Sequence, residues 1–227
     1  MSDGARGGAP FRLGVLVSGG GTNLQAILDA CARREITASV AVVVSDKPEA
    51  YALARAREAG VPTAVIEKKR FASREDFDAG LVAILREHGV DLVCLAGFMR
   101  ILTPVAIRAF PERILNIHPS LLPAFPGLDV QRKAIEHGAR FSGCTVHVVD
   151  EGCDTGPIVI QAIVPVAPDD TPETLAARIL VQEHRIYPRA IRFFAEGRVE
   201  IAGRRVRIRE SGFEDGAMIN PPPGKED

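Results

Sequence analysis

The chain has 227 residues, of which 46% are apolar and 25% charged, enough for one sizeable core in an ordinary globular α/β domain. With 28 Lys and Arg against 29 Asp and Glu, the formal net charge of -1 offers no broad basic field, so neither nucleic acid nor an anionic membrane surface is an expected partner. No apolar run approaches the roughly 18–20 residues of a bilayer span, and Met1–Pro10 lacks the apolar centre of a secretion signal. A small anionic ligand would have to be held by local groups.

Strand and helix patterns alternate from Leu13 onward, which predicts a parallel sheet covered on both faces. Leu13–Val17 is an unbroken apolar run, as expected of a fully buried strand. Leu24, Ile27, Leu28 and Cys31 then recur at i, i+3, i+4 and i+7, one face of a helix. A strand over Ala38–Ser45, a short helix over Ala50–Ala59 and a strand near Thr63–Ile66 follow. Ser73 and Asp76 have the spacing of a capping box for a helix with Phe77, Leu81, Ile84, Leu85 and His88 on one face. Leu92–Ala96 is the next buried strand, and Thr103-Pro104 pairs an N-cap with proline at the first helical position of a helix reaching Phe110. Ile114–Ile117 reads as a strand and Val130–His137 as a helix.

The rhythm then changes. Cys144–Val149 and Ile158–Pro165 are strand-like runs joined by a short Gly- and Asp-containing loop, which predicts an antiparallel addition to the sheet. Thr171-Pro172 opens a long helix reaching Glu196, and Val199–Ile201 with Val206–Ile208 predicts a small hairpin bearing a solvated basic face of Arg204, Arg205, Arg207 and Arg209. The expected organisation is one domain over residues 12–211, between a flexible extension, 1–11, and a disordered tail, 212–227, containing Pro221-Pro222-Pro223. Cys31, Cys94, Cys144 and Cys153 contain no C-x-x-C pair; the first three read as small buried apolar residues in a reduced, cytoplasmic protein. The histidines at 88, 118, 137, 147 and 184 form no ligand cluster with these cysteines, so no metal is expected.

Three stretches carry chemistry. Ser18-Gly19-Gly20-Gly21-Thr22-Asn23 joins the first strand to the first helix, where main-chain N–H groups and the helix dipole favour an anion. A tight turn capped by Thr22 or Asn23 explains the same residues. A dinucleotide fingerprint needs glycine where Leu24 stands, and a P-loop needs a lysine that is missing, so the loop suggests a phosphate without naming its carrier. In Asn116-Ile117-His118-Pro119-Ser120-Leu121-Leu122-Pro123 the amide and the imidazole fall at i and i+2, on one side of a strand end at the carboxyl edge of the sheet. Such a pair suits an oxyanion. The polar loop Asp150-Glu151-Gly152-Cys153-Asp154-Thr155-Gly156-Pro157 could bring a carboxylate to His118, favouring imidazolium, or be an ordinary turn. Glu183 shares an apolar helix stripe with Ala176, Ile179, Tyr187, Ala190 and Phe194, a costly place for a carboxylate unless it finds a partner or reaches solvent.

Taken together, the Gly-Thr-Asn loop, Ala96-Gly97-Phe98-Met99-Arg100-Ile101-Leu102, the Asn116-x-His118-Pro-Ser-Leu-Leu-Pro element and Asp154-x-Gly-Pro-Ile resemble the glycinamide ribonucleotide formyltransferases from Leu13 to about Gly197. The resemblance implies a Rossmann-like α/β fold with a partly mixed sheet, 10-formyltetrahydrofolate as co-substrate and no metal. By the same resemblance Asn116, His118 and Asp154 are the catalytic trio. Gly21, Thr22 and Asn23 hold the ribonucleotide phosphate, and Glu183 helps bind the glycinamide substrate. Arg74, Met99, Arg100, Ile101 and Leu102 line the folate site together with Asp150, Glu151, Gly152, Cys153 and Asp154. The implied chemistry is direct attack of the substrate amine on the formyl carbon, with Asn116 and protonated His118 holding the oxyanion and Asp154 pairing with His118.

Asp129 and Gln131 stand where some relatives carry histidines, and they are left outside the catalytic set. Formyltetrahydrofolate hydrolases share the centre but carry an added N-terminal domain, and initiator-tRNA formyltransferases add a C-terminal RNA-binding domain. The short extensions here favour neither. A non-catalytic folate- or nucleotide-binding regulator is disfavoured because all three catalytic residues are present. Monomer and homodimer both remain open.

Overall fold

The computed structural model describes residues 10–212, with Met218 and Asn220. The expected flexible extension, apart from Pro10 and Phe11, and most of the expected disordered tail lie outside the described residues. The elements run β1 (Phe11–Val17), α1 (Thr22–Ala32), β2 (Ala38–Ser45), α2 (Tyr51–Glu58), β3 (Thr63–Val65), α3 (Arg74–Glu87), β4 (Leu92–Leu95), α4 (Pro104–Ala109) and β5 (Ile114–His118). They continue α5 (Val130–Glu136), β6 (Phe141–Val148), β7 (Ile158–Pro165), α6 (Pro172–Ala195), β8 (Val199–Ala202) and β9 (Arg205–Ile208). Every predicted element is present, with ends that differ by up to three residues. Phe11, placed by the sequence in the extension, opens β1 because it pairs with Ala38.

The main sheet has the order β3-β2-β1-β4-β5-β6-β7. Strands β1 to β5 pair in parallel, whereas β6 is antiparallel to β5 and β7 to β6, the mixed addition that the changed rhythm predicts. Chain order reverses at β1: β2 and β3 extend to one side, and β4 and β5 to the other. In open α/β sheets a crevice forms outside the carboxyl ends of the strands at such a reversal.

Side-chain alternation splits the apolar residues between two faces. Leu13, Val15, Val17, Cys94 and Leu115 pack with Leu24 and Ile27 of α1, Leu53 of α2 and Ile179 and Tyr187 of α6. Leu16, Val42, Val93 and Ile114 pack on the other face with Phe77, Leu81 and Leu85 of α3 and Ala106 of α4. The face predicted for α3 holds at Phe77, Leu81 and Leu85, while Ile84 and His88 are only half-buried.

The caps follow two routes. Ser73 Oγ accepts from Asp76 N at 3.0 Å, as predicted, but Asp76 accepts from the Ser73 hydroxyl rather than from its amide. Thr171 and Thr174 form a reciprocal box at α6, whose 24 residues pass through Pro188 without ending. Thr103 occupies the N-cap of α4, yet it makes no side-chain cap bond; its amide instead donates to Asp78 Oδ2. Cys94 and Cys144 are buried as expected, whereas Cys31 is half-buried. Among the described residues no helix is long and apolar enough to cross a membrane.

Candidate active site

Three loops meet at the carboxyl edge. Ser18, at the end of β1, donates from its amide to Gly97 O at 3.2 Å and from its hydroxyl to Asp46 Oδ1 at 2.6 Å, and the same hydroxyl accepts from Met99 N. The ends of β1, β2 and β4 are thereby tied through one side chain.

The glycine loop turns at Gly21, which occupies the N-cap of α1 with φ 74° and ψ 34° and no side-chain cap bond. The alternative of Thr22 or Asn23 as cap therefore does not hold. A Cβ at Gly21 would stand 2.6 Å from Ala52 Cβ, so α2 and the left-handed turn both demand glycine. Among the described residues, none of the main-chain N–H groups of residues 19–24 has a protein acceptor, while Ala52 N donates to Gly19 O and fixes the loop from behind. Thr22 is exposed. Asn23 is buried and donates from Nδ2 to Glu183 Oε2 at 2.7 Å. Two residues singled out separately in the sequence are thus partners, 160 positions apart. Burial pushes the Glu183 carboxyl up, and the Asn23 bond offsets only part of this. One turn along α6, Tyr187 places its hydroxyl within 3.0 Å of Leu95 O and 3.1 Å of Leu115 O, anchoring this part of α6 against the end of β4 and the start of β5.

Asn116 and His118 leave β5 on one side, as their spacing predicts. The loop after β6 then folds Asp154 onto both. His118 Nδ1 lies 3.4 Å from Asp154 Oδ2, and Asn116 Nδ2 lies 3.4 Å from Asp154 Oδ1. The second ring nitrogen of His118, Nε2, lies 2.9 Å from Phe125 O. Both ring nitrogens face acceptors, an arrangement that the doubly protonated ring satisfies at both ends. As placed, a substrate oxygen reaches Nε2 only by displacing the Phe125 carbonyl.

Three members of this cluster were not read from the sequence as site residues. His147 sits opposite Asn116 in the β5–β6 ladder, with Nε2 3.1 Å from Asn116 Nδ2 and 3.5 Å from Asp154 Oδ1. Gly127 N donates to Asp154 Oδ2 at 2.9 Å, and Phe125 supplies the carbonyl facing His118. Burial pushes the Asp154 carboxyl up, but hydrogen bonds from His147 and the Gly127 amide, with the charges of His118 and His147, more than offset this and hold it well below the usual carboxylate range. Asp154 itself adopts φ 55°, a left-handed conformation that aspartate tolerates better than most residues other than glycine. Beneath it, a Cβ at Gly156 would lie 1.7 Å from Val148 O, so only glycine lets the loop close this tightly.

The residues expected to line a folate form the rim. Arg74 donates to Ile101 O at 2.8 Å, and Arg100 stacks over the Phe77 ring with Cζ 4.1 Å from its centroid. Met99 and Ile101 are 68% and 61% exposed, an unusual display of apolar surface that a flat aromatic ligand could cover. Leu102 differs: it is 6% exposed and belongs to the α3–α4 core, so it supports the rim from below. On the opposite loop Asp150 Oδ1 accepts from Thr155 Oγ1 at 2.6 Å and Gly152 N at 3.1 Å, Glu151 pairs with Arg108, and Cys153 is exposed beside Asp154. Among the described residues no group of three or more His, Cys, Asp and Glu side chains is placed to hold a metal ion.

Comparison with known proteins agrees with this architecture. A profile of the formyl transferase family matches residues 11–191. The chain is 47% identical over 190 residues to a phosphoribosylglycinamide formyltransferase of Haemophilus influenzae, covering 84% of this chain and 90% of that protein. It is 51% identical over 188 residues to the trifunctional purine biosynthetic protein adenosine-3 of Drosophila melanogaster, covering 82% of this chain but spanning only 14% of the fly protein's length. A crystal structure of glycinamide ribonucleotide transformylase 1 from Symbiobacterium toebii superposes with a TM-score of 0.87 at 60% identity, covering 88% of this chain and 94% of that one. The chain belongs to the formyl transferase family.

Proposed function

We propose that this protein transfers the formyl group of 10-formyltetrahydrofolate to the amine of glycinamide ribonucleotide, a step of purine biosynthesis. The observation that carries the reading is the Asn116–His118–Asp154 cluster at the same sheet edge as an open glycine loop, in a chain 47% identical to a bacterial enzyme named for that activity. The glycine loop with Thr22 and Asn23 receives the phosphate, Glu183, held by Asn23, faces the glycinamide end, and the Met99–Leu102 and Asp150–Asp154 rims enclose the folate.

In this reading the substrate nitrogen attacks the formyl carbon and the carbonyl oxygen becomes an oxyanion. Asn116 Nδ2, turning one N–H from its long 3.4 Å contact with Asp154, and protonated His118 donate to it, each such donor being worth roughly 3–4 kcal/mol in the transition state. The oxyanion takes the position that Phe125 O holds beside Nε2. Collapse of the tetrahedral intermediate breaks the bond to N10 of the folate. The proton lost by the attacking amine reaches N10 through a water held by the His118–Asp154 pair acting together. The carboxylate stays ionised throughout, in keeping with its depressed pKa. His147 and Gly127 keep Asn116 and Asp154 in register. Holding both substrates in one crevice contributes the proximity term.

The test follows folate product with and without glycinamide ribonucleotide. Deformylation that requires the ribonucleotide, with formylated product in equal amount, supports the reading. Equal deformylation without the amine would make the protein a hydrolase.

A further inference from the structure

The hairpin that follows α6 reaches the catalytic centre from outside it. Its base is clamped to the end of α6. Arg198 donates from Nε to Arg209 O at 2.9 Å, Arg209 N donates to Arg198 O at 2.9 Å, and the Arg198 guanidinium lies 5.3 Å from the Phe193 ring centroid. β9 runs beside β7. The tip is the two-residue turn Gly203–Arg204, with glycine at φ 60° in the first position, as a tight hairpin turn favours. The sequence pattern places Arg204 on a solvated basic face with Arg205, Arg207 and Arg209. In the structure its Nη1 donates to Thr155 O at 2.7 Å, 49 positions away in the chain and one residue past Asp154.

The contact falls where the loop most needs support. A side chain held at a φ of 55°, as Asp154 is, persists there only when its surroundings over-determine it. Before Asp154 the loop is tied only to itself, through the Asp150 carboxylate that accepts from Gly152 N and Thr155 Oγ1. After it, Gly156 packs against Val148 O, and Val148 N donates to Pro157 O at 2.9 Å. Among the described residues, the Arg204 bond is the one hydrogen bond that another part of the chain makes to the loop's main chain between Asp150 and Gly156. The Arg108–Glu151 pair joins two exposed side chains and does not touch that backbone. An exposed bond of this kind adds little to global stability. Its effect belongs to the geometry of the loop.

We propose that Arg204 is a positioning residue for formyl transfer: through Thr155 O it holds the Asp154 carboxylate in place beside His118 and Asn116. The inference rests on the formyl-transfer reading above. No bond or proton of the reaction passes through Arg204. The hairpin acts as a strut between the end of α6 and the catalytic loop.

The test compares the parent with Arg204→Ala, Arg204→Lys and, as a control beside it on the hairpin, Arg205→Ala, by melting temperature, steady-state kinetics and amide hydrogen exchange over residues 149–157. Arg204→Ala should lower kcat roughly three- to tenfold, as for a reacting group displaced by a fraction of an ångström. It should leave the melting temperature and KM for the ribonucleotide as in the parent, and exchange across 149–157 should quicken. Arg204→Lys should recover part of the rate, and Arg205→Ala should match the parent. In an Asp154→Asn background Arg204→Ala should change kcat by less than about twofold, because the group it positions is already disabled. A loss of the same size in both backgrounds would overturn the proposal, as would an Arg204→Ala enzyme with the parent's kcat and exchange. If the parent deformylates the folate without the ribonucleotide, the formyl-transfer reading falls, and the same comparison made on that deformylation decides for or against Arg204.

Discussion

At the end of β1 the groups open to a ligand are main-chain N–H groups on a glycine turn, whereas at the ends of β5 and β6 they are side chains: an amide, an imidazole and a carboxylate. The parallel half of the sheet presents backbone because its crossover enters a helix directly, and a helix start leaves its first N–H groups without partners. The antiparallel half presents side chains because β6 runs back alongside β5, setting His147 opposite Asn116 and returning Asp154 over both. The first region suits recognition of a fixed charge, and the second suits charge that develops during a reaction. Substitutions at the first should fall on binding, and those at the second on turnover.

The largest expected effects lie in the antiparallel half. His118→Ala should lower kcat roughly 10²- to 10³-fold with little change in either substrate's affinity, and Asn116→Ala about 10²-fold, as for loss of an oxyanion donor; a loss confined to KM would erase the contrast. Gly21→Ala comes next. A left-handed alanine meeting Ala52 at 2.6 Å should cost about 1–3 kcal/mol, read as a lower melting temperature, and the remaining folded enzyme should show a raised KM for the ribonucleotide. His147→Phe keeps a ring in place and removes the polar contacts to Asn116, Asp154 and the Val148 carbonyl, so a fall of about tenfold in kcat is expected from a positioning group; an unaltered rate would confine His147 to packing.

Two smaller effects concern pH and buried charge. Because the folded state holds the Asp154 carboxyl below its ordinary range, the stability it contributes is complete above the unfolded value near pH 3.9 and is lost as pH falls below it. The gap in melting temperature between the parent and Asp154→Asn should therefore narrow as pH drops from about 5 to 3. Glu183 has the opposite sign. Its carboxyl is pushed up by burial, so ionising it costs stability, and Glu183→Gln, still able to accept from Asn23, should raise the melting temperature by roughly 2–4 °C while weakening the ribonucleotide. A lower melting temperature would mean that the charge itself holds α6 to the loop.

The same contrast governs what could be read in advance. Elements with local periodicity, such as α3 with Phe77, Leu81 and Leu85 or the capped start of α6, are written in adjacent residues and were recoverable. So were Asn116 and His118, because a two-residue spacing fixes their shared side of the strand. Partnerships set by register were not. His147 faces Asn116 only once β5 and β6 are aligned, and a one-residue slip would turn it away. Phe125 and Gly127 enter through left-handed turns whose conformation no periodicity records. Asn23 and Glu183 each stood out, one as a loop donor and the other as a carboxylate on an apolar stripe, but their bond exists only because Tyr187 docks α6 against β4 and β5. Leu102 adjoins the exposed Met99 and Ile101 in sequence, yet the chain turns there into α4 and carries it under the rim.

The central claim is that Asp154 acts through His118 as one catalytic unit. Its most direct test is kcat for formyl transfer in His118→Ala, Asp154→Asn and the double variant, measured at saturating substrates. If the unit is real, the double variant should fall within about threefold of the worse single variant, since the second substitution removes a partner already idle. If the two losses multiply, Asp154 serves the reaction by a route independent of His118, and the account of this centre is wrong.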